Sequence, residues 1–319
     1  MRPRRRKQLL PNLLQLLPAK LRHALLRRKA TLDEVVTHDV VVEIAHTREG
    51  YFDAFKLVHD AYVWRGWIEP QANGLYLTQH HALPETTVFV MRKGGKCIGT
   101  VSLVLDSELG LPFERTFPEV ESVRGPRRRL AEIGSLAVAP ELRGSGLTMC
   151  LFTAMWRYAK QRCGVTDLVV AVDEHVSDYY EGLFGFRALA ETRSYAGFAE
   201  GVHAVDDDPV VGLHQDLTTI EGFLACYDFT PPNEALNVGQ LTSAPWPSRW
   251  EKFPTRGTAH EETRFKLPRA LFQELFVGPD AMKPLEQSTV EYVRRFRTPQ
   301  TVNVPPSKRG QLRDLSPMA

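Results

Sequence analysis

The segment AEIGSLAVAPELRGSGLT, residues 131–148, decides the fold more than any other part of the chain. A mostly apolar run ends at Pro140, a turn with one arginine and two glycines follows, and a helix-like stretch begins at Leu147. The first N–H groups of a helix lack intrahelical partners, and the helix dipole favours anions at that end. We therefore predict a strand, a phosphate-binding turn and a helix, with the phosphate held by Arg143, Gly144, Ser145, Gly146, Leu147 and Thr148.

The neighbouring segments predict the rest of one sheet domain. Strand-like runs cover residues 40–44, 86–92, 97–105, 130–138, 167–172 and 210–213. Helix-like stretches cover 51–64, 147–163 and 175–183, and two more lie near 268–277 and 285–297. This order predicts an α+β fold with a mixed, mostly antiparallel central sheet and helices on both faces.

Charge and composition divide the chain into three parts. Residues 1–30 contain ten Lys and Arg and no acid, so residues 31–319 contain thirty Lys and Arg against thirty-eight Asp and Glu. An acidic body argues against nucleic acid as a partner. We predict a basic amphipathic leader at 1–38, the sheet domain at 39–218, and a Pro-rich extension with short helices and a disordered tail at 219–319.

The leader has a basic start, Arg2 to Lys7, and then leucines at positions 10, 14, 17, 21 and 25. One interpretation is an amphipathic helix on an anionic membrane surface, which predicts a cytoplasmic protein peripheral to the inner membrane. The other is a leucine-rich helix packed on the body, or a disordered leader. A secretory signal fits less well, because Asn12, Gln15 and Pro18 interrupt the apolar stretch.

Several classes of site are excluded by missing motifs. The four cysteines, Cys97, Cys150, Cys163 and Cys226, are scattered without metal-site spacing, which predicts reduced thiols in a cytoplasmic protein and no metal. The chain has neither the Gly-x-Ser-x-Gly of a hydrolase elbow nor a dinucleotide-binding Gly-x-Gly-x-x-Gly after its first strand. We therefore expect no permanently bound cofactor.

The turn at 143–148 resembles the acyl-CoA-binding motif of the GNAT acyltransferase superfamily, Arg/Gln-x-x-Gly-x-Gly/Ala after a bulged strand. Arg143 and Gly146 match this pattern, and Thr148 stands where the superfamily has Gly or Ala. That departure argues against a tight fit to the pyrophosphate of CoA. The resemblance implies that the backbone amides of Leu136, Ala137 and Val138 hold the thioester carbonyl and the pantetheine arm.

Within the superfamily, the chain is similar to the long-chain N-acyl amino acid synthases, relatives of the acyl-homoserine-lactone synthases. The blocks that carry this similarity are 62–70, 74–78, 83–87, 102–107, 110–112 and 131–138. The family implies an acyl carrier protein thioester as donor, or acyl-CoA in its place, and the amine of an amino acid as acceptor. A carrier-bound donor has pantetheine and one phosphate but no adenosine diphosphate, which agrees with the altered motif.

Two other functions fit the same residues. One is a conventional N-acetyltransferase that uses acetyl-CoA, and the other is a module that binds an acyl thioester without turnover. The run Arg127-Arg128-Arg129 likewise has two interpretations, a docking site for the acidic helix of a carrier protein or an ordinary solvated loop.

Glu132 is the candidate general base for amide formation. A carboxyl group on an apolar strand is costly unless it is used or paired, and burial would raise its pKa. An ion pair with one of residues 127–129 is the structural alternative. Ser135, a weaker site candidate, faces away from Glu132 by strand alternation, unless a bulge changes the parity.

The segment after the strand at 167–172 supplies the remaining candidates. Tyr179 or Tyr180 could protonate the leaving thiolate, although adjacent tyrosines are as common in helix cores. His175 either orients the acceptor or begins the helix. Asp173 and Glu174 either bind the acceptor's ammonium group or form a solvated turn.

Overall fold

The computed structural model describes residues 17–29, 39–145, 147–195, 209–219, 251–252, 267–277 and 281–296. The strands of its central sheet are β1 Val40–Ile44, β2 Thr86–Lys93, β3 Lys96–Leu105, β4 Leu130–Val138, β5 Asp167–Asp173, β6 Arg187–Ala188, β7 Arg193–Ser194, β8 Pro209–Asp216 and β9 Glu251–Lys252. The helices are α1 Ala19–Lys29, α2 Arg48–Arg65, α3 Leu147–Gln161, α4 Glu174–Phe184, α5 Arg269–Phe276 and α6 Gln287–Arg294. Short 3-10 helices include Gln79–Ala82 and Pro112–Arg115.

The strands lie in the order β6-β8-β5-β4-β3-β2-β1-β9, with β7 also paired to β8. The β4–β5 and β1–β9 pairs are parallel, and the remaining pairs are antiparallel. The predicted α+β fold with a mixed, mostly antiparallel sheet is therefore confirmed.

Helices cover both faces of this sheet. On one face, α3 and α4 pack against β1 to β5, with Met91, Ile133, Leu151 and Phe184 in a shared core. On the other face, α2 packs against β2, β3 and β4. The face that α2 covers is the one on which the buried polar side chains described below are found.

Helix α2 begins three residues before the predicted start, and its capping explains why. The Thr47 side chain accepts a hydrogen bond from the N–H of Gly50 at 3.1 Å, which satisfies one of the free donors of the first turn. At the other end, Gly66 has a φ of 78°, a left-handed conformation that glycine adopts without a steric penalty. The helix thus ends at Arg65, one residue after its predicted end.

The two predicted helices of the extension form, and they complete the core beside α2. Leu271, Phe272, Leu275 and Val293 are buried in one cluster with Phe55 of α2. The side chain of Gln79 links this segment to the sheet domain, because its Nε2 donates to the Pro284 carbonyl and its Oε1 accepts from the N–H of Glu286, both at 2.9 Å. The predicted disordered tail lies outside the described residues.

Helix α1, the described part of the leader, packs against α4. Arg22 forms a salt bridge of 2.7 Å with Asp178, and Leu26 packs against the main core. The leader's helix thus lies on the body over these residues, while Leu21 and Leu25 are exposed. The predicted basic start, residues 2–7, lies outside the described residues. Among the helices described, none is both long and apolar enough to span a bilayer.

Candidate active site

The central feature is a cleft between the parallel strands β4 and β5. The two strands pair from Leu130 with Asp167 to Glu132 with Val169, and then separate, although β4 continues to Val138 and β5 to Asp173. A cavity of about 640 Å³ fills the opening and is lined by both strands. Its volume lies in the range of about 300–1,000 Å³ that is usual for small-molecule sites.

The cavity brings most of the predicted site residues together. Those that line it are Glu132, Ser135, Leu136, Ala137, Val138, Arg143, Gly144, Thr148, His175, Tyr179 and Tyr180. Two others face elsewhere, since the Ser145 hydroxyl donates to the Leu142 carbonyl at 2.6 Å and Leu147 is buried in the core. Gly146 lies outside the described residues.

A β-bulge in β4 places Ser135 on the cavity wall. Thr100 pairs with Ala137 and Ser102 pairs with Gly134, so one residue of β3 lies opposite two of β4. Ser135 itself has a φ of 50°, which is uncommon for a residue other than glycine. The bulge changes the alternation along the strand, and Ser135 and Glu132 line the same cavity.

Glu132 is a buried carboxyl group with one hydrogen bond from the backbone. Glu132 is only 3% exposed, and its Oε2 accepts a hydrogen bond from the N–H of Phe113 at 2.7 Å. Burial raises the pKa of Glu132 to about 8, the Phe113 hydrogen bond opposes this shift, and the nearby charge of Glu114 adds to it. The carboxyl group therefore titrates in the range in which a general base works at neutral pH.

Within the described residues, Glu132 does not form the ion pair that was its structural alternative. Among them, no Lys, Arg or His forms a salt bridge with Glu132, and Arg128 instead contacts Asp167 at 3.0 Å and Asp216 at 2.9 Å. Arg127 and Arg129 are exposed. Docking of a carrier protein on this run stays a prediction.

The α4 candidates differ in their surroundings. Tyr180 is buried and packs against the rings of Phe152 and Phe186 at centroid distances of 5.8 Å. Tyr179 is half-buried, and burial raises the pKa of its phenol to about 12, so the phenol keeps its proton at neutral pH. His175 is exposed in the first turn, where its N–H donates to Asp173 Oδ1 at 2.9 Å.

The turn after β4 carries a pair of arginines at the cavity. Arg143 stacks on Trp64, with its guanidinium carbon 4.2 Å from the ring centroid, and Trp64 is itself 58% exposed. The guanidinium carbon of Arg65 lies 5.9 Å from the centroid of the same ring, so both arginines lie against Trp64. Burial and the charge of Arg65 lower the pKa of Arg143. Arg65 also lines the cavity, with Nη1 3.9 Å from Asp173 Oδ2. Two cations held close together in this way are suited to an anionic group.

Sequence reasoning missed a further set of polar side chains that line the cavity. They come from α2, from the segment before β2, from β3 and from the residue after β7, and they are Tyr62, Tyr76, Thr78, His81, Ser102 and Tyr195. The rings of Tyr62 and Tyr76 contact each other, with centroids 4.9 Å apart. Burial, and after it the charge of Glu132, raises the pKa of the Tyr62 and Tyr195 phenols. Blocks 62–70, 74–78 and 102–107, which carried the family similarity, contain four of these residues.

No side-chain cluster suited to a metal ion is found in the described part of the chain. Groups of three or more His, Cys, Asp and Glu at ligating distance are missing there. Cys97, Cys150 and Cys163 are unbridged, and Cys226 lies outside the described residues.

Comparison with known proteins relates this geometry to one family. Residues 53–205 match the family model described as N-acyl amino acid synthase FeeM. No curated protein matches the chain significantly.

Solved structures with a similar fold include three acyltransferases. FeeM, an N-acyl amino acid synthase from uncultured soil microbes, is 20% identical over 56% of this chain and 90% of its own, with a TM-score of 0.47. The AHL synthase LasI is 17% identical over 59% and 94%, with a TM-score of 0.45. An acyl-CoA N-acyltransferase from Pseudomonas aeruginosa is 18% identical over 55% and 98%, with a TM-score of 0.37.

Proposed function

We propose that residues 53–205, which match the family model described as N-acyl amino acid synthase FeeM, form a GNAT-type acyltransferase domain. In this proposal the protein transfers a long acyl chain from an acyl carrier protein thioester to the amine of an amino acid. The observation that carries it is Glu132, a buried carboxyl group with a pKa of about 8 at the point where β4 and β5 separate. A base of this kind beside an open strand edge suits attack of an amine on a thioester.

The proposed reaction assigns a role to each group around the cleft. The amine nitrogen attacks the thioester carbonyl carbon, and Glu132 takes the amine's proton. The oxyanion accepts hydrogen bonds from backbone N–H groups between Leu136 and Val138, on the edge of β4 that β5 does not cover. The carbon–sulfur bond then breaks, Tyr179 or Tyr180 protonates the leaving thiolate, and the proton on Glu132 restores the phenol. His175, exposed at the same cavity, remains a candidate for orienting the acceptor.

Two features support a carrier-bound, long-chain donor. The cavity of about 640 Å³ has apolar lining from Leu136, Val138, Val170 and Val172, which suits an acyl chain. Arg65 and Arg143 could bind one phosphate group, such as that of phosphopantetheine. Thr148 lies in the cavity wall at the position where the superfamily has a smaller residue. Both features favour a long acyl chain on pantetheine over acetyl-CoA.

The decisive experiment supplies purified protein with matched donors and a mixture of the twenty amino acids. Palmitoyl carrier protein, palmitoyl-CoA and acetyl-CoA are compared, and products are identified by mass spectrometry. We expect a palmitoyl amino acid, formed faster from the carrier protein than from palmitoyl-CoA. Acetylation alone would overturn the proposal in favour of a conventional N-acetyltransferase, and a lack of product with all three donors would favour a binding module.

Replacing Arg143 with alanine is expected to raise the KM for the acyl donor about tenfold and to leave kcat nearly unchanged. The reason is that a hydrogen bond to a charged group contributes about 1.5–3 kcal/mol, and the arginine contacts the donor equally in the ground and transition states. Initial rates at varied donor concentration and low salt give both constants.

Arg162→Ala is the matched control, because Arg162 is exposed at the end of α3, outside the cavity. It should leave the KM for the donor unchanged. If the Arg143→Ala variant kept the wild-type KM at low ionic strength, Arg143 would not be part of the donor site.

A further inference from the structure

The polar side chains that line the cavity include a buried serine–histidine pair. Ser102 on β3 is 2% exposed and His81 in the Gln79–Ala82 3-10 helix is 5% exposed, yet both line the cavity. The Nε2 atom of His81 lies 3.4 Å from Ser102 Oγ. A polar pair that is buried within the wall of a reaction cavity is suited to contact with whatever the cavity binds.

The hydrogen bonds on the other side of the ring fix the form of His81. The N–H of Thr78 donates to His81 Nδ1 at 3.0 Å, and the Thr78 hydroxyl lies at the same distance from that atom. Since Nδ1 accepts, the proton of the neutral ring must lie on Nε2. Burial lowers the pKa of His81 to about 3, so the ring is neutral at physiological pH.

This tautomer decides what Ser102 can do. An Nε2–H group directed at Ser102 Oγ is a donor, so His81 cannot take a proton from the serine, and the pair is not a hydrolase dyad. The serine oxygen accepts from His81, and the serine O–H is thereby free to donate into the cavity. Ser102 is thus an oriented donor, suited to an oxygen acceptor on a ligand.

The position of Ser102 relative to Glu132 defines the ligand atom that it can meet. Val104 pairs with Glu132 and Ser102 pairs with Gly134, so Ser102 and Glu132 are diagonal neighbours on the same face of the sheet. Gly134 leaves the space between them open, since a Cβ atom there would meet only Glu132 Oε1, at 4.0 Å. A small group with an amine at Glu132 and an oxygen near Ser102 fits this arrangement.

We propose that the Ser102 hydroxyl, oriented by His81, binds the carboxylate of the acceptor amino acid and so places its amine at Glu132. This inference rests on the proposed acyltransferase function. In an α-amino acid the amine and the carboxylate are attached to one carbon, so a contact with the carboxylate fixes the position of the attacking nitrogen. Ser102 is accordingly a binding residue, and His81 is a positioning residue.

The test compares amino acids with the amines that remain after their decarboxylation. Phenylalanine is paired with phenethylamine, leucine with 3-methylbutylamine, and tryptophan with tryptamine, with palmitoyl carrier protein as donor. We expect wild-type protein to show a KM at least about tenfold lower for the preferred amino acid than for its amine, because a hydrogen bond to a carboxylate is lost with the amine. Ser102→Ala should raise the amino acid's KM about tenfold and leave the amine's KM unchanged.

Further variants separate this role from a general loss of structure. Ser102→Thr keeps the hydroxyl and should keep the preference for the amino acid, while His81→Phe keeps an aromatic ring without the Nε2–H donor and should behave as Ser102→Ala does. Equal KM values for acid and amine in the wild type, or an equal loss for both acceptors in Ser102→Ala, would overturn the inference alone. Absence of transfer to every acceptor in the wild type would overturn the proposed function and the inference with it.

Discussion

Replacing Glu132 with glutamine is expected to lower kcat for acyl transfer about 10²–10⁴-fold, the usual contribution of a general base. Glutamine keeps the volume of the side chain and can accept the hydrogen bond from the Phe113 N–H. It cannot take a proton from the amine. Single-turnover rates with saturating donor measure the chemical step directly, and circular dichroism confirms that the variant is folded.

The dependence of kcat/KM on pH should also differ between the wild type and Glu132→Gln. A base acts in its deprotonated form, so kcat/KM of the wild type should rise with pH until Glu132, with a pKa of about 8, has lost its proton. The acceptor's α-amino group must also be deprotonated, and in a free amino acid its own carboxylate holds its pKa above the value of about 8 that a peptide's α-amino group has. Below both values, log kcat/KM should therefore rise by two per pH unit in the wild type and by one in Glu132→Gln. If log kcat/KM of the wild type rose by only one per pH unit, or if the substitution left the rate of acyl transfer unchanged, Glu132 would not be the general base.

Replacing Phe272 with alanine is expected to lower the free energy of unfolding by about 3–5 kcal/mol, as large-to-small changes of core phenylalanines do. Phe272 is 0% exposed and lies in one cluster with Phe55 of α2 and Phe276 of α5. The ring fills space that the sheet domain does not fill by itself. Urea unfolding followed by circular dichroism measures the change.

Gln273→Ala is the control for this substitution, because Gln273 is the next residue of α5 and is exposed. Its effect should stay within about 0.5 kcal/mol, as for most surface positions. A loss below about 1 kcal/mol for Phe272→Ala would mean that α5 does not contribute to the folded core of the domain. The domain boundary at residue 218, drawn from composition, would then gain support.

The strands and the large helices could be predicted because local signals specify them. The predicted strands 86–92 and 97–105 are found as β2 and β3, which pair as far as Lys93 and Lys96 on either side of a turn at Gly94 and Gly95. The apolar run 167–172 predicted a buried strand, which is found as β5 with antiparallel β8 on one side and parallel β4 on the other. The partners of the C-terminal helices could not be predicted, because an amphipathic pattern shows which face is buried and not what buries it.

A site residue could be predicted where its side chain does not fit the apolar pattern of its own strand. Glu132 is such a residue, an acid in an apolar run, and its burial follows from that run. Ser135 needed the bulge, which depends on pairing with β3 and leaves no mark in the alternation of β4. His81 carries no local signal at all, since its tautomer and its neutrality follow from Thr78 and from burial that only the folded chain supplies.

The two hydrogen bonds of the Gln79 side chain couple ligand binding near His81 to the local opening of α6. They join the 3-10 helix that carries His81 to the segment that leads into α6, through Pro284 and Glu286. By reciprocal linkage, any ligand that orders the wall around His81 must also disfavour local opening of α6, and a substitution that loosens α6 must weaken that ligand. Amide hydrogen exchange in residues 287–294 should therefore slow when an acceptor amino acid binds, and Gln79→Ala should abolish the slowing.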